Sequence, residues 1–249
     1  MATALVVQNS QYGGPQRWAP WLAEAGLTPH VVPAHTGAPV PSRLEHDALI
    51  VLGGAFMPDD EVRAPWLAAT RRLVDEALSR GVCYFGVCLG GQLLAQQAGG
   101  EVRAEHGTPE FGSTRLTLRP EAFQDPLFAD LPTEVTAIEH HVDQITRLPA
   151  GAVWLASSDA CPHQAFRLGS AAWGVQFHPE AGADRIRQWS AERLARHGAD
   201  RDALYRAARA DEPAAAPVWR TVAHRFARLA AGRPRESDGP PAPPEGASE

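Results

Sequence analysis

Short runs of consecutive apolar residues alternate along this chain with stretches in which apolar positions recur at helical spacing. Ala4-Leu-Val-Val7, Ala48-Leu-Ile-Val-Leu52 and Val82 to Val87 are nearly unbroken apolar runs of strand length, the pattern of strands buried on both faces. The first strand is predicted from Thr3 to Gln8, followed by a helix from Pro15 to Ala25 that Gly26 stops. Further strands are predicted from Pro29 to Pro33 and from Asp47 to Leu52. Asp59 and Asp60 offer N-cap oxygens for a helix reaching Arg80, with Trp66, Leu67, Leu73, Val74, Ala77 and Leu78 on one face and Gly81 as its stop. Val82 to Val87 is then a buried strand. Alternating strands and helices predict an α/β fold with an open, mostly parallel sheet flanked by helices.

Beyond Glu180 the pattern changes to Ala and Arg at helical spacing. Ile186, Trp189 and Leu194 are expected to form one apolar stripe, and Val218, Trp219, Val222, Phe226 and Leu229 another, closed by Gly198 and Gly232 respectively. Residues 1–195 are thus expected to form the main domain and residues 196–232 a C-terminal helical extension. From Arg233 onward Pro, Gly, Glu and Ser dominate, so residues 233–249 are expected to be disordered.

Composition narrows the classes. A chain of 249 residues with 44% apolar and 21% charged residues reads as a globular protein able to bury a full core. No run reaches the length of a membrane span, and Met1-Ala-Thr-Ala-Leu-Val-Val lacks the charged start of a signal peptide, so a cytoplasmic location is expected. The net charge of −6 argues against nucleic acid as a partner. Cys83, Cys88 and Cys161 are odd in number and widely spaced, which indicates neither a disulfide framework nor a zinc knuckle. The chain contains no lysine, so a phosphate-binding P-loop is excluded. If it serves an ATP-dependent synthetase, the nucleotide site is on another polypeptide. Asn9-Ser-Gln-Tyr-Gly13-Gly14 follows a strand but lacks dinucleotide-loop spacing, and is read as a loop at the edge of an active site.

Chemistry concentrates in two segments. Gly86-Val-Cys88-Leu-Gly90 has the Gly-x-nucleophile-x-Gly spacing of an elbow, in which a strand turns sharply into a helix and exposes one side chain at the turn. A helix beginning there would aim its unpaired N–H groups and dipole at the Cys88 sulfur, favouring the thiolate. Gln176-Phe-His178-Pro-Glu180 supplies a base and a carboxylate two residues apart. Pro179 keeps His178 extended, and side chains two apart on an extended chain point the same way, so Glu180 can orient the imidazole. Alternatives are a buried structural cysteine, which is the reading adopted for Cys83, and a surface turn for His-Pro-Glu. Cys161 and His163 lack further spaced ligands, so no metal site is expected.

These segments, in this order, resemble the class I glutamine amidotransferases, the cysteine-dependent family that hydrolyses the side-chain amide of glutamine. Within that family the chain is similar to the glutaminase domain of GMP synthase, as a stand-alone version. Asp47 to Gly54 resembles the family's strand ending in a Gly-Gly turn, and Ala156 to Phe166 with Ala172 to Glu180 resembles its last strands; the likeness spans roughly residues 3 to 190. It implies a flavodoxin-like fold, a Cys88-His178-Glu180 triad, and no cofactor or metal. It also implies an oxyanion hole from backbone N–H groups near Gly53, Gly54 and Leu89. Gln92, His141 and Asp143 are the expected substrate contacts, although Gln92 could instead cap a neighbouring backbone group and the His140-His141-Val142-Asp143 stretch could be a polar loop. Gly91 departs from the family pattern, where a bulkier residue often follows the elbow glycine.

The implied partners are L-glutamine or a γ-glutamyl compound, together with a synthase chain that accepts the ammonia. A γ-glutamyl hydrolase using the same triad is the main alternative, to be favoured by a wider pocket beside Cys88. A silent binding or regulatory module is the third.

Overall fold

In the computed structural model, which describes residues 1–232, the apolar runs lie at the centre of a nine-stranded sheet. The expected tail, residues 233–249, lies outside the described residues. The parallel half is built from β1 (Ala2–Val7), α1 (Trp18–Glu24), β2 (Leu27–Val32), β3 (Ala48–Val51), α2 (Leu67–Arg80) and β4 (Cys83–Val87). Then come α3 (Leu89–Gln97), β5 (Glu101–Arg103), β6 (Glu110–Leu118), β7 (Glu134–His141), β8 (Gln144–Arg147), β9 (Val153–Ser157), β10 (Ala165–Leu168) and β11 (Ala172–Val175), followed by α4 (Ala191–Ala195) and α5 (Arg201–Gly232). The order across the sheet is β2-β1-β3-β4-β11-β10-β9-β6-β7, with β5 and β8 forming a separate ribbon.

Alternation along the central strands explains why they are apolar throughout. Ala4, Val6, Ala48 and Ile50 enter a core on one face with Trp18, Trp219 and Phe226. Leu5, Val7, Leu49 and Val51 enter the other with Leu73, Tyr84 and Leu93. Helices cover both faces, so neither set of side chains meets water. β11 returns to lie parallel beside β4, pairing Ala172 with Tyr84 and Val175 with Val87. Three strands that precede the chemistry-bearing turns, β3, β4 and β11, therefore end side by side at one carboxyl edge.

Two helix expectations are corrected. The helix expected to begin at Asp59 or Asp60 begins at Leu67. Pro65 disfavours helical backbone in the residue before it, and Asp60 Oδ1 accepts the Arg63 N–H at 3.1 Å, capping only a turn. The stripe of Ile186, Trp189 and Leu194 is not one helix. A 3-10 turn spans Ala183–Gln188, and α4 starts afresh after Ser190, whose hydroxyl accepts the Arg193 N–H at 3.2 Å. The three side chains nonetheless meet in a third buried cluster. By contrast α5 runs unbroken for 32 residues through Pro213 and Pro217, held by Trp219, Val222 and Phe226 in the main core. No helix among the described residues is long and apolar enough to cross a membrane.

Candidate active site

The turn from β4 into α3 takes a single residue. Cys88 occupies it at φ 50° and ψ −107°, a backbone conformation costing a non-glycine residue on the order of 1–3 kcal/mol. The flanking glycines are required by contact. A Cβ on Gly86 would lie 2.4 Å from the Gly90 carbonyl carbon, and one on Gly90 would lie 2.0 Å from the Val51 carbonyl oxygen. Gly91 is equally confined, since its Cβ would lie 2.6 Å from the Val175 carbonyl oxygen. The bulkier residue of the family pattern is therefore excluded by the close approach of α3 to β11. The buried Tyr84 hydroxyl donates to the Gly90 carbonyl at 2.8 Å and fixes the elbow from below.

Gly53 and Gly54 follow β3 and line the same cavity as Cys88. A Cβ on Gly53 would lie 2.7 Å from the His178 ring, and one on Gly54 would lie 2.9 Å from both Asn9 Cβ and Leu89 Cδ2. Asn9, the first residue of the loop assigned to the site edge, holds this turn: its amide donates to the Leu52 carbonyl at 2.7 Å and its oxygen accepts the Trp66 indole N–H at 2.8 Å. Leu89 is the first residue of α3, so its N–H has no acceptor within the helix.

His178 stands on a backbone bridge to β7, its N–H donating to the Ile138 carbonyl at 2.8 Å. Its Nδ1 is 2.8 Å from Glu180 Oε1, and the ring lines the same cavity as Cys88. Burial disfavours the imidazolium, but the Glu180 carboxylate and the Cys88 sulfur together outweigh it and raise the His178 pKa well above its ordinary value. The Pro179 carbonyl accepts from Arg17 Nε at 3.0 Å, and Arg17 also pairs with Glu212 of α5 at 2.6 Å. The turn carrying the base is thus tied to the long C-terminal helix.

Gln92 lines the cavity, but its amide nitrogen is engaged within the protein, 3.2 Å from Gln176 Oε1 and 3.4 Å from the Asp143 carbonyl. Gln176 is a site residue that the motif alone does not single out. It is fully buried, and its Nε2 lies 3.6 Å from the Cys88 sulfur. A polar side chain at the end of an apolar strand is the signal that marks it. Asp143 lines the cavity, and its carboxylate accepts the Glu105 N–H at 2.9 Å. His141 lines the cavity while its ring turns inward, Nδ1 to the Asp143 carbonyl and Nε2 3.1 Å from Glu110 Oε2.

Behind that histidine is a buried polar cluster that the sequence does not reveal. Glu110 accepts from Ser158 and Gln164. Neither oxygen of Glu139 has a hydrogen-bond partner among the described residues, although His141 Nε2 lies 3.4 Å from Oε2. Burial, then the neighbouring Glu110, keep the Glu139 carboxyl protonated far above the usual carboxylate range, against the opposing charge of His178. Cys161 joins Glu110 and His141 here, with ligand-type atoms within 4.8 Å of one another. His163, its expected companion, instead bonds to the Ile145 carbonyl at 3.0 Å. This trio is the candidate metal-ligand grouping among the described residues, but the histidine and carboxylate already satisfy each other.

The cavity holds about 280 Å³ and continues past His178 to Tyr12, His140, Arg185, Arg193 and His197. The Asn9 to Gly14 loop contributes Ser10, Tyr12 and Gly13 to its rim, in keeping with its assignment to the site edge. His140 stacks on Trp189 at 4.3 Å, and burial, with the nearby charges of His178, Arg185 and Arg193, pushes its pKa down to about 3. A strained cysteine, an imidazole held by a carboxylate and free helix N–H groups together provide the parts for covalent acyl transfer.

The model of the family "Glutamine amidotransferase class-I" matches residues 17–189. The chain is 31% identical over 183 residues to a subunit of the glutamine-hydrolyzing GMP synthase of Thermoplasma acidophilum, covering 72% of this chain and 84% of that one. It is 44% identical over 96 residues to the glutamine-hydrolyzing GMP synthase of Porphyromonas gingivalis, a match to 38% of this chain that spans only 18% of that longer protein. A glutamine amidotransferase structure from Methylobacillus flagellatus superposes with a TM-score of 0.77 at 27% identity, over 96% of this chain and 98% of that one. One from Thermotoga maritima reaches 0.81 at 23% identity over 91% and 98%, a likeness of fold. Sequence and architecture agree with the order of turns at the sheet edge, and the chain belongs to the class I glutamine amidotransferase family.

Proposed function

We propose that the chain hydrolyses the γ-carboxamide of L-glutamine through a cysteinyl thioester. The observation that carries this reading is the alignment of a strained, buried Cys88 with a His178 ring whose Nδ1 is held 2.8 Å from Glu180. Cys88 sulfur attacks the γ-carbonyl carbon, and the carbonyl oxygen takes the negative charge beside the N–H groups of Gly54 and Leu89. His178 gives its proton to the nitrogen as the C–N bond breaks, releasing ammonia. It then removes a proton from water, which attacks the thioester and returns the thiol and glutamate. Glu180 fixes the tautomer and supports the charged imidazole. Gln176, donating toward sulfur and accepting from Gln92, holds the Cys88 sulfur and the cavity wall in register. Relatives from Thermoplasma acidophilum and Methanocaldococcus jannaschii are named as one subunit of a glutamine-hydrolyzing GMP synthase, which supports delivery of the ammonia to a separate synthase chain.

Glutamate release from L-glutamine by the purified chain tests this reading, with Cys88→Ala as control. Turnover lost in the variant supports it; equal release by both proteins, or none by the wild type even with a synthase partner added, refutes it. Hydrolysis of larger γ-glutamyl amides is a second reading, favoured by one observation: the cavity does not close at His178 but extends toward Arg185 and Arg193.

A further inference from the structure

Ammonia needs no subsite beyond the imidazole that protonates it, yet the cavity is furnished well past that point. Arg185 stands on the 3-10 turn after the His-Pro-Glu segment and Arg193 on α4, and both line the cavity. Among the described residues no carboxylate lies within ion-pair distance of either guanidinium. Arg185 donates to the neutral Gln188 amide at 2.9 Å and stands 5.8 Å over the Tyr12 ring. In a chain of net charge −6, two arginines without a direct ion pair among the described residues stand out beside this cavity.

Their side of the cavity matters. Arg185 is close enough to Glu180 to feel its charge, and Glu180 grips His178. Gln92, Asp143 and the Gly53-Gly54 turn line the same cavity, and on the thioester reading the acyl group lies against that turn. A proton donor must face the leaving nitrogen, so the arginines lie where a substituent on that nitrogen would go. His140 beside them stays neutral, and its depressed pKa reports both its burial and the positive field there.

We propose, building on the thioester reading above, that Arg185 and Arg193 form a carboxylate subsite for the leaving amine. The preferred substrates are then γ-glutamyl amides of amino acids, with a free carboxylate beside the scissile bond. Cys88 forms the S–C bond, the γ-carbon to nitrogen bond breaks, and His178 protonates the departing amino acid. Water then releases glutamate and the thiol, and no other reactant is required. A guanidinium matches a carboxylate with paired N–H donors, and a carboxamide of the same shape offers it no charge.

The test compares γ-L-glutamylglycine, its glycinamide and L-glutamine on the full chain. The subsite predicts kcat/KM for the glycine form at least about 10-fold above the glycinamide. In Arg185→Met/Arg193→Met that ratio falls to about 1, and because both substrates are read in the same protein, a folding defect cannot mimic the change. A wild-type ratio near 1, or one that survives the double substitution, overturns the proposal. So does a double variant that raises KM equally for all three substrates, which would place the arginines on the glutamyl α-carboxylate. Turnover of glutamine without either dipeptide overturns the subsite and leaves the thioester reading standing. If none is hydrolysed even with a synthase partner added, the thioester reading falls, and calorimetry on Cys88→Ala decides the subsite alone. Tighter binding of γ-L-glutamylglycine than of its glycinamide supports it, and equal or absent binding overturns it.

Discussion

The two walls of the cavity are built on opposite principles. On the elbow side, β3, β4 and α3 approach so closely that glycine is the only residue with room: even a methyl at Gly86, Gly90 or Gly91 would overlap backbone atoms. On the outer side, a 3-10 turn and the five-residue α4 carry Arg185 and Arg193, with His197 just beyond, over a small satellite core of Ile186, Trp189 and Leu194. The first wall leaves its chemistry a single geometry. The second sets long, partly exposed side chains whose identity can change without disturbing the sheet. On the readings proposed above, reaction type is set at the elbow and choice of substrate at the outer wall.

The largest effect that would break this division comes from His178, which lies against the Gly53 turn and is held by Glu180. His178→Ala is expected to reduce glutamate release on the order of 10³-fold by removing the proton shuttle, while thermal melting stays close to wild type. A loss smaller than about tenfold would mean that the chemistry is not confined to the elbow. Next, Gly90→Ala forces a Cβ against the Val51 carbonyl at 2.0 Å. Overpacking of this kind costs roughly 1–3 kcal/mol, read as a lower urea midpoint together with lost activity. Unchanged stability would show that the elbow is looser than its contacts require.

Glu139 sharpens the comparison through pH. It is fully buried, both oxygens lack a hydrogen-bond partner among the described residues, and burial raises its folded pKa above the unfolded value. The folded state therefore keeps a proton that the unfolded state has released. Stability from this group falls as pH climbs from the unfolded pKa through the folded one, and levels off beyond it. Glu139→Gln removes that loss. The two proteins should melt alike near pH 4, and the variant should gain about 1–3 kcal/mol toward neutral pH, with each kcal/mol worth about 2–4 °C. A pH-independent difference between the melting curves would contradict this account.

The contrast between the walls also governs what is legible in the sequence. The elbow and the His-Pro-Glu turn are legible because each is contiguous and its spacing is imposed by local backbone sterics. Strands β1, β3 and β4 are legible because burial on both faces leaves them almost wholly apolar. The outer wall is not legible: Tyr12, His140, Arg185 and Arg193 meet only through the tertiary fold. The Glu110, Glu139 and His141 cluster is hidden for the same reason, since Glu110 of β6 reaches the Glu139 and His141 side chains of β7 only through the pairing of the two strands. The start of α2 escapes the pattern because an N-cap signal at Asp60 competes with Pro65, and the proline prevails. Gln92 does reach the cavity as expected, but its amide is used on Gln176 and Asp143, a pairing no local pattern encodes.

One strap couples the two walls, and it yields the smallest and most discriminating effect. Arg17 Nε donates to the Pro179 carbonyl at 3.0 Å and Nη1 pairs with Glu212 Oε1 at 2.6 Å. Glu212 Oε2 in turn accepts the Ala183 N–H at 2.8 Å, at the start of the outer wall. The Arg17 guanidinium also lies 5.1 Å over Trp21, so Arg17→Met keeps the packed stem while removing the charge and both donors. The expected loss is about 1 kcal/mol of stability for a partly buried charged hydrogen bond, with a fall in kcat of less than about tenfold and little change in KM. Arg17→Lys should restore the Glu212 pair without reaching Pro179 at the same time, so it recovers stability before it recovers kcat. If lysine restores both together, the strap acts only through stability and the walls are independent. If it restores stability alone, the contact to Pro179 is what sets the base against the sulfur.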